Sequence, residues 1–336
     1  MQYLIAIYKR LSKIKTYLPD ISVMIFGILA ITSISVASEP TNQSETSPQQ
    51  SDTSVRIFTA KKKQALENYI DRHLLEYNIP GVAVGIVESG KAVYEKGFGI
   101  SNEKGTLVSP KTSFEIGSVT KTFTAIAIMQ LWEEGKIDID KAVIDYIPWF
   151  QSKNKTNSDR ILIKHLLTHK SGFSRIVGNR NMENEDHSID AVKNSIAELP
   201  NFELVSEPGE KFEYSNINFQ LLGYILELLE HDSYESIIEK RIFQKLGMNN
   251  SFIKSKPKTV IDKSQGFIFW FGNPKPTKIS EGRVDVGAGL IYSSVEDLNL
   301  YLADIISSNG KLLSTKAKNI MFMPEKTSEN FYYAYG

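Results

Sequence analysis

Ser118 and Lys121 stand three residues apart in Phe114-Glu115-Ile116-Gly117-Ser118-Val119-Thr120-Lys121-Thr122-Phe123, at the head of an apolar run. On a helix this spacing puts both side chains on one face, a turn apart. A serine hydroxyl becomes an effective nucleophile only when a base takes its proton. A lysine can be that base if it is neutral. Burial in an apolar wall and the positive end of the helix dipole both push it that way. Ser and Lys are common residues, so the four-letter pattern also arises by chance. Other residues have to decide.

A second group follows at Lys211-Phe212-Glu213-Tyr214-Ser215-Asn216, after a Pro208-Gly209-Glu210 turn and before a strongly apolar stretch. A tyrosine just ahead of a helix can present its phenol to a cleft and exchange protons there. The helix end and a nearby cationic lysine would favour its phenolate. Asn216 offers a donor and an acceptor with which to orient a lysine and a substrate amide. Read alone, Tyr214 serves equally as a half-buried packing residue and Asn216 as an N-cap.

The elements that must position these groups can be read from periodicity. Leu66, Tyr69, Ile70, Leu74 and Leu75 mark a helix over 60–77. Gly81–Glu88 and Lys91–Gly99 are strand-like runs joined at Ser89-Gly90, which predicts a hairpin. The helix after Ser118 is apolar almost all round and should be buried on every side, ending at Gly135. A second apolar helix runs from Asn216 to about Leu229. A third follows Ser293 or Ser294 as cap, with Glu296 or Asp297 closing a capping box. Strands first and helices after predict an α+β domain, a sheet with helices on it plus a mostly helical insert.

With 336 residues and 41% hydrophobic content the chain can build a substantial core. Lys+Arg and Asp+Glu are both 39, so no net field favours nucleic acid. The absence of cysteine excludes disulfides, a thiol nucleophile and a cysteine zinc site. Lys9, Arg10, Lys13 and Lys15 precede an uncharged run, Ile21–Ala37, that closes on the small residues Ser35-Val36-Ala37-Ser38. Residues 1–37 therefore read either as a cleaved signal peptide or as a membrane anchor, with membrane contact through residues 21–37. In both cases the domain lies outside the cytoplasm, periplasmic, secreted or anchored. Residues 38–57 read as a disordered linker, because Ser38 to Ser54 holds no aliphatic or aromatic side chain. Residues 58–336 form the folded domain.

Several collinear blocks resemble the serine β-lactamase and penicillin-binding superfamily, in its class C-like branch. They are Lys96-Gly97-Phe98-Gly99, the Ser118-Val119-Thr120-Lys121 block, Leu166-Leu167-Thr168-His169-Lys170-Ser171-Gly172-Phe173, Tyr214-Ser215-Asn216, Leu246-Gly247-Met248, and Gly287-Ala288-Gly289-Leu290 with Ser293 to Leu298. The resemblance implies a β-lactamase/transpeptidase-like fold and a serine hydrolase acting on an amide or ester, whether a β-lactam, a D-Ala peptide or a small ester. It also implies roles. Ser118 attacks a carbonyl, Lys121 takes its proton, Tyr214 passes a proton to the leaving group, and Asn216 positions substrate and lysine. The Ser118 backbone N–H supplies one oxyanion donor. No cofactor or metal is implied.

One part of the pattern is missing from these residues. The family's Lys/His-x-Gly triplet follows a segment resembling Tyr332-Tyr333-Ala334-Tyr335-Gly336, and no such triplet occurs after residue 290. The expectation is a C-terminally incomplete domain, lacking the closing sheet strands and leaving the 81–99 hairpin with an open edge and an uncovered apolar face. A catalytically impaired relative that only binds ligand is the rival reading. Other motifs are weaker. His165 and His169 have helical zinc-pair spacing but no Glu follows the first, so H-E-x-x-H is not met and structural histidines are expected. Neither G-x-S-x-G nor a P-loop occurs. Gln265 to Pro276, with Phe267, Phe269, Trp270 and Phe271, reads as an aromatic loop that either lines a cleft or packs in the core.

Overall fold

A two-residue turn sets the first layer. The computed structural model describes residues 22–25, 58–180, 185–257, 262–278, 282–328 and 331–336. The leader before Ser22, the rest of the apolar run and the linker lie outside the described residues. Helix α1 (Ala60–Glu76) leads into strands β2 (Gly81–Glu88) and β3 (Lys91–Gly99), after a short strand β1 (Ser22–Ile25). Ser89 and Gly90 both have positive φ, the conformation of the I′ turn whose twist suits a hairpin. The resulting register pairs Val82 with Phe98, Val84 with Lys96 and Ile86 with Tyr94.

Both faces of the hairpin are covered, which corrects the expectation of an uncovered apolar face and is why β2 is an almost unbroken apolar run. On one face Val84, Ile86, Tyr94 and Phe98 pack with Leu66, Ile70 and Leu74 of α1. Lys96 and Tyr94 fix α1 further through Glu67, at 2.8 and 3.1 Å. The helix Val295–Ile306 lies on the other face. There Gly85 admits the amide of Asn299; a Cβ at Gly85 would stand 2.5–2.8 Å from it. The outer edge of β2, expected to be open, carries β1, with Ser22 opposite Val87 and Ile25 opposite Val84. Pairing satisfies strand N–H and C=O groups that would otherwise stand free.

Behind the hairpin sits the main core. Strand β4 (Phe114–Glu115) runs into a 3₁₀ turn, Gly117–Val119, and then helix α2 (Thr120–Glu133). The helix is buried on all sides as expected, with Phe123 and every residue from Ala125 to Met129 fully inaccessible. Phe123 stacks on Tyr301 at 4.1 Å and meets Phe243 edge-on at 6.0 Å. Burial of each such side chain is worth about 1.5–3 kcal/mol. The helical part supplies α3 (Ile163–Leu167), α4 (Arg175–Asn179), α5 (Asn216–Glu230) and α6 (Tyr234–Ile238). A second small sheet has the order β4-β8-β5, from β5 (Phe252–Ile253) and β8 (Ile291–Ser293). Between these two strands the chain makes a ribbon, β6 (Gly266–Trp270) with β7 (Asn273–Thr277). Helices α7 (Val295–Ile306) and α8 (Thr315–Met321) follow, then β9 (Glu325–Ser328) and β10 (Phe331–Tyr333).

Two local expectations are corrected. Ser294 caps α7 by accepting from Asp297 N at 3.2 Å, but the Asp297 carboxylate closes no capping box. It is taken instead by Asn250 N at 2.8 Å and Ser251 Oγ at 2.6 Å, stronger partners that tie α7 to the turn before β5. The aromatic stretch at 265–276 is a ribbon with an exposed tip rather than a loop in a cleft or in the core. Four bulky residues in succession, from Ile268 to Phe271, hide the period of two that would have marked a strand. No helix among the described residues is long and apolar enough to cross a membrane.

Gly85→Ala should destabilise the domain by about 1–3 kcal/mol, since the new methyl overlaps the Asn299 amide. In an Asn299→Ala background the same change should cost clearly less. Thermal melts of the four proteins of this cycle measure it; an equal cost in both backgrounds would show that helix and hairpin do not meet there.

Candidate active site

Three chain segments converge on one amine. The 3₁₀ turn leaves the Ser118 side chain exposed, while Lys121, one turn on, is 1% exposed. Lys121 Nζ lies 3.2 Å from Ser118 Oγ, 2.9 Å from Asn216 Oδ1 and 2.7 Å from the carbonyl oxygen of Ala288. A neutral amine has two N–H groups and one lone pair. Asn216 and Ala288 take the two hydrogens, and the lone pair is left facing the Ser118 hydroxyl. Burial pushes the Lys121 pKa down to about 7, opposed by the negative charge of Asp285. Close to neutral pH a substantial share of the lysine is therefore the neutral amine.

Tyr214 completes the group by donating from its hydroxyl to Ser118 Oγ at 2.8 Å. Its pKa is raised, chiefly by burial, against the lowering effects of its bond to Ser118 and of Arg175. The phenolate expected from the sequence is therefore corrected to a phenol. The cation invoked to stabilise it is itself weakened, because burial lowers the Lys121 pKa to about 7. Asn216 is not the N-cap: Ser215 occupies that place, and Asn216 is the first residue of α5. Its carbonyl end is used by Lys121 and its amine end donates to Asn179 Oδ1 at 3.2 Å.

The Tyr214-Ser215-Asn216 turn is braced from behind by His169, which is fully buried. His169 Nδ1 accepts from Ser215 N at 3.2 Å and lies 3.0 Å from Asn218 Nδ2, and its ring is 4.4 Å from that of Tyr214. Burial and the neighbouring Lys121 hold its pKa well below that of a free histidine, so the ring is a neutral acceptor. His165 uses its Nδ1 on Leu162 N at 3.2 Å. Both histidines spend a ring nitrogen on a backbone N–H, and no three His, Cys, Asp or Glu side chains cluster for a metal among the described residues.

The third segment is residues 283–290, of which Gly287 to Leu290 carry the resemblance, with no role implied for a carbonyl there. Gly287 packs against Gly223 of α5, where any Cβ would collide with the carbonyl of Phe219. Thr124 Oγ1 donates to Gly287 O at 2.7 Å, and the N–H groups of Ala288 and Gly289 both bond to Asp285 O. Upstream, buried Arg283 is clamped by Glu235 through two bonds of 2.9 Å and by Glu227. The Asp285 carboxylate accepts from Gln220 Nε2 at 2.6 Å. Sequence reasoning missed Ala288, Asp285, Gln220 and Asn179. Only the Gly-Ala-Gly string hinted at a close backbone approach here. Tyr335 N bonds to Met321 O, and Gly336 lies against the backbone of Lys121 and Thr122.

The whole arrangement falls within residues 63–333, which match the sequence pattern of the Beta-lactamase family. The chain belongs to the beta-lactamase family. Among its relatives is Protein flp of Staphylococcus aureus strain MW2, 30% identical over 247 residues, or 73% of this chain and 49% of that protein. The chain thus spans about half the length of the curated relatives it matches. A penicillin-binding protein homologue from Pyrococcus abyssi, described as octameric, is 30% identical with a TM-score of 0.70, covering 81% of this chain and 64% of that one. A class C beta-lactamase shares the fold at a TM-score of 0.70 and 24% identity, over 82% of this chain and 74% of that one. The antiparallel sheet with helices and the mostly helical part are those of this family, whose members make the chain serine-hydrolase-like.

Asp285→Asn removes the negative charge that raises the Lys121 pKa. The lysine should then lose its proton at lower pH, so the acid limb of Ser118 labelling by a fluorophosphonate should move to lower pH. The pH–rate profiles of the two proteins test this. A limb that moves up, or stays put, would show that Asp285 does not act on the lysine.

Proposed function

We propose that the chain is a serine hydrolase that cleaves an amide or ester through an acyl-enzyme on Ser118. The observation that carries this reading is the buried Lys121 Nζ, 3.2 Å from Ser118 Oγ and held by two acceptors, Asn216 Oδ1 and the Ala288 carbonyl, so that the neutral amine can turn its lone pair to the serine. Lys121 accepts the Ser118 proton as Oγ bonds to the substrate carbonyl carbon. The C–N or C–O bond then breaks, Tyr214 donates its proton to the leaving atom, and the Lys121 ammonium restores the phenol's proton. Water repeats the sequence in reverse to release the acid. The Ser118 N–H acts on the oxyanion, and Asn216 holds both Lys121 and the substrate amide. The family and the likeness to a penicillin-binding protein homologue support β-lactams and D-Ala peptides as substrates, with small esters alongside.

Mass mapping after labelling with a fluorescent penicillin or a fluorophosphonate should find the adduct on Ser118 and none in Ser118→Ala. Lys121→Arg should slow acylation by a factor on the order of 10²–10⁴, because a guanidinium does not give up its proton. Tyr214→Phe should slow both acylation and deacylation without lowering the melting temperature. Near-normal turnover in Lys121→Arg would move the base elsewhere. Penicillin bound without a covalent adduct would favour the ligand-binding relative.

The basic residues before Ile21–Ala37 and the small residues closing that run support placing the domain outside the cytoplasm. N-terminal sequencing of exported protein should begin at or near Ser38 if the leader is cleaved, which also removes β1 and reopens the edge of β2, and at the native start if it is an anchor. Recovery of the chain entirely in the cytoplasm with Met1 intact would refute both.

A further inference from the structure

The β6–β7 ribbon carries four consecutive large apolar side chains that are half or more exposed among the described residues. Ile268, Phe269, Trp270 and Phe271 are 50, 55, 60 and 89% exposed. Neighbouring strand residues point to opposite faces, so Phe269 lies on one face and Ile268 and Trp270 on the other. Isolated exposed apolar residues are ordinary in soluble proteins; four in a row at one apex are not. The apex is also costly to form. Phe271 has φ 47, a left-handed conformation in which a bulky residue is an outlier, although Asn or Gly would suit the turn. Gly272 O accepts from Asn78 Nδ2 at 3.1 Å, which fixes the apex against the end of α1.

Three features select the occupant. A protein groove covers one face of a ribbon, whereas these side chains project from both faces and the tip, which calls for a medium that surrounds them. Strand addition by a second copy is opposed on β7, where Pro274 and Pro276 stand at the positions paired with Phe269 and Phe267 and have no N–H to offer. The ribbon and its flanks from Lys263 to Lys278 carry three lysines and no acidic residue, a charge that suits anionic headgroups. Trp and Phe beside Lys is the composition of interfacial anchors. We infer that the 268–271 apex is a membrane-interface wedge that seats the domain on an anionic lipid bilayer, with Trp270 and Phe271 at the level of the headgroup–acyl boundary.

The test must read the apex itself, because Ile21–Ala37 could bring the chain to a membrane alone. Full-length protein is titrated with phosphatidylcholine–phosphatidylglycerol vesicles whose acyl chains are brominated, and tryptophan quenching is compared with Trp270→Phe. The expected result is quenching in the native chain that Trp270→Phe loses, Trp132 and Trp149 being untouched. Phe271→Asn, which fits the turn and should fold, is expected to raise the lipid needed for half-maximal quenching on the order of tenfold or more. Equal quenching with and without Trp270 would overturn the inference. So would vesicle-bound protein whose Trp270 stays fully open to aqueous iodide. A blue shift that grows with protein concentration in the absence of lipid would assign the apex to a second copy instead.

Discussion

A lysine amine with almost no exposure, held between two carbonyl oxygens and a serine, constrains most of this fold. An ammonium in that place would lose its hydration for three neutral acceptors, so burial drives Lys121 toward the amine. The amine in turn has to find two acceptors and keep its lone pair on Ser118. Those partners lie 95 and 167 residues along the chain from the lysine, at Asn216 and Ala288. α2, the first residue of α5 and the 283–290 segment must therefore be placed to within a hydrogen bond of one another. The core round α2 supplies that rigidity: a helix buried on every side has no solvent face along which to slide.

The segment carrying Ala288 shows how far the requirement spreads. Its approach to α5 needs the Gly287–Gly223 contact, its carbonyl is fixed by Thr124 of α2, and Thr124 also bonds to Tyr234 of α6 at 2.7 Å. Arg283, at the start of the segment, is buried with two carboxylates. Breaking such a group by removing one partner strands a charge, which costs about 3–5 kcal/mol. The energy holding the Ala288 oxygen in place is thus drawn from packing and ion pairs well away from the serine.

What the sequence made legible divides along the same line. Ser118 with Lys121 is a relation within one helical turn, and Ser89-Gly90 within one hairpin, so both could be read directly. Tyr214 and Asn216 were named because they precede an apolar helix, yet packing or capping roles fitted them as well until resemblance was added. Ala288 was invisible in kind, since it acts through a backbone carbonyl that every residue possesses. Asp285, Gln220 and Asn179 are ordinary polar residues whose importance comes only from burial next to Lys121 and Asn216. The phenolate expected at Tyr214 failed for a related reason: proximity to a lysine was legible, but the burial that neutralises that lysine was not. The exposed ribbon misled in the opposite sense, because aromatic composition signals burial on average and says nothing of which aromatics are left outside.

Around the serine the resting site carries little charge. Lys121 is pushed toward the amine, Tyr214 stays a phenol and His169 is held neutral, with the Asp285 carboxylate as the charge acting on the lysine. In the mechanism we propose, charge appears only when the serine proton moves, giving an ammonium at Lys121 and a developing oxyanion on the substrate. An interaction that arises in the transition state and is absent beforehand lowers the barrier without tightening substrate binding. Asp285 sets the balance. Its negative charge raises the lysine's affinity for the proton it must accept, while burial keeps that affinity low enough to leave the amine free at the start. Without the carboxylate the amine would be neutral over a wider range of pH but a weaker base, and with less burial it would be a stronger base already protonated. In the proposed mechanism a lysine poised between those limits can serve as the base because its burial, with only 1% of it exposed, holds it there.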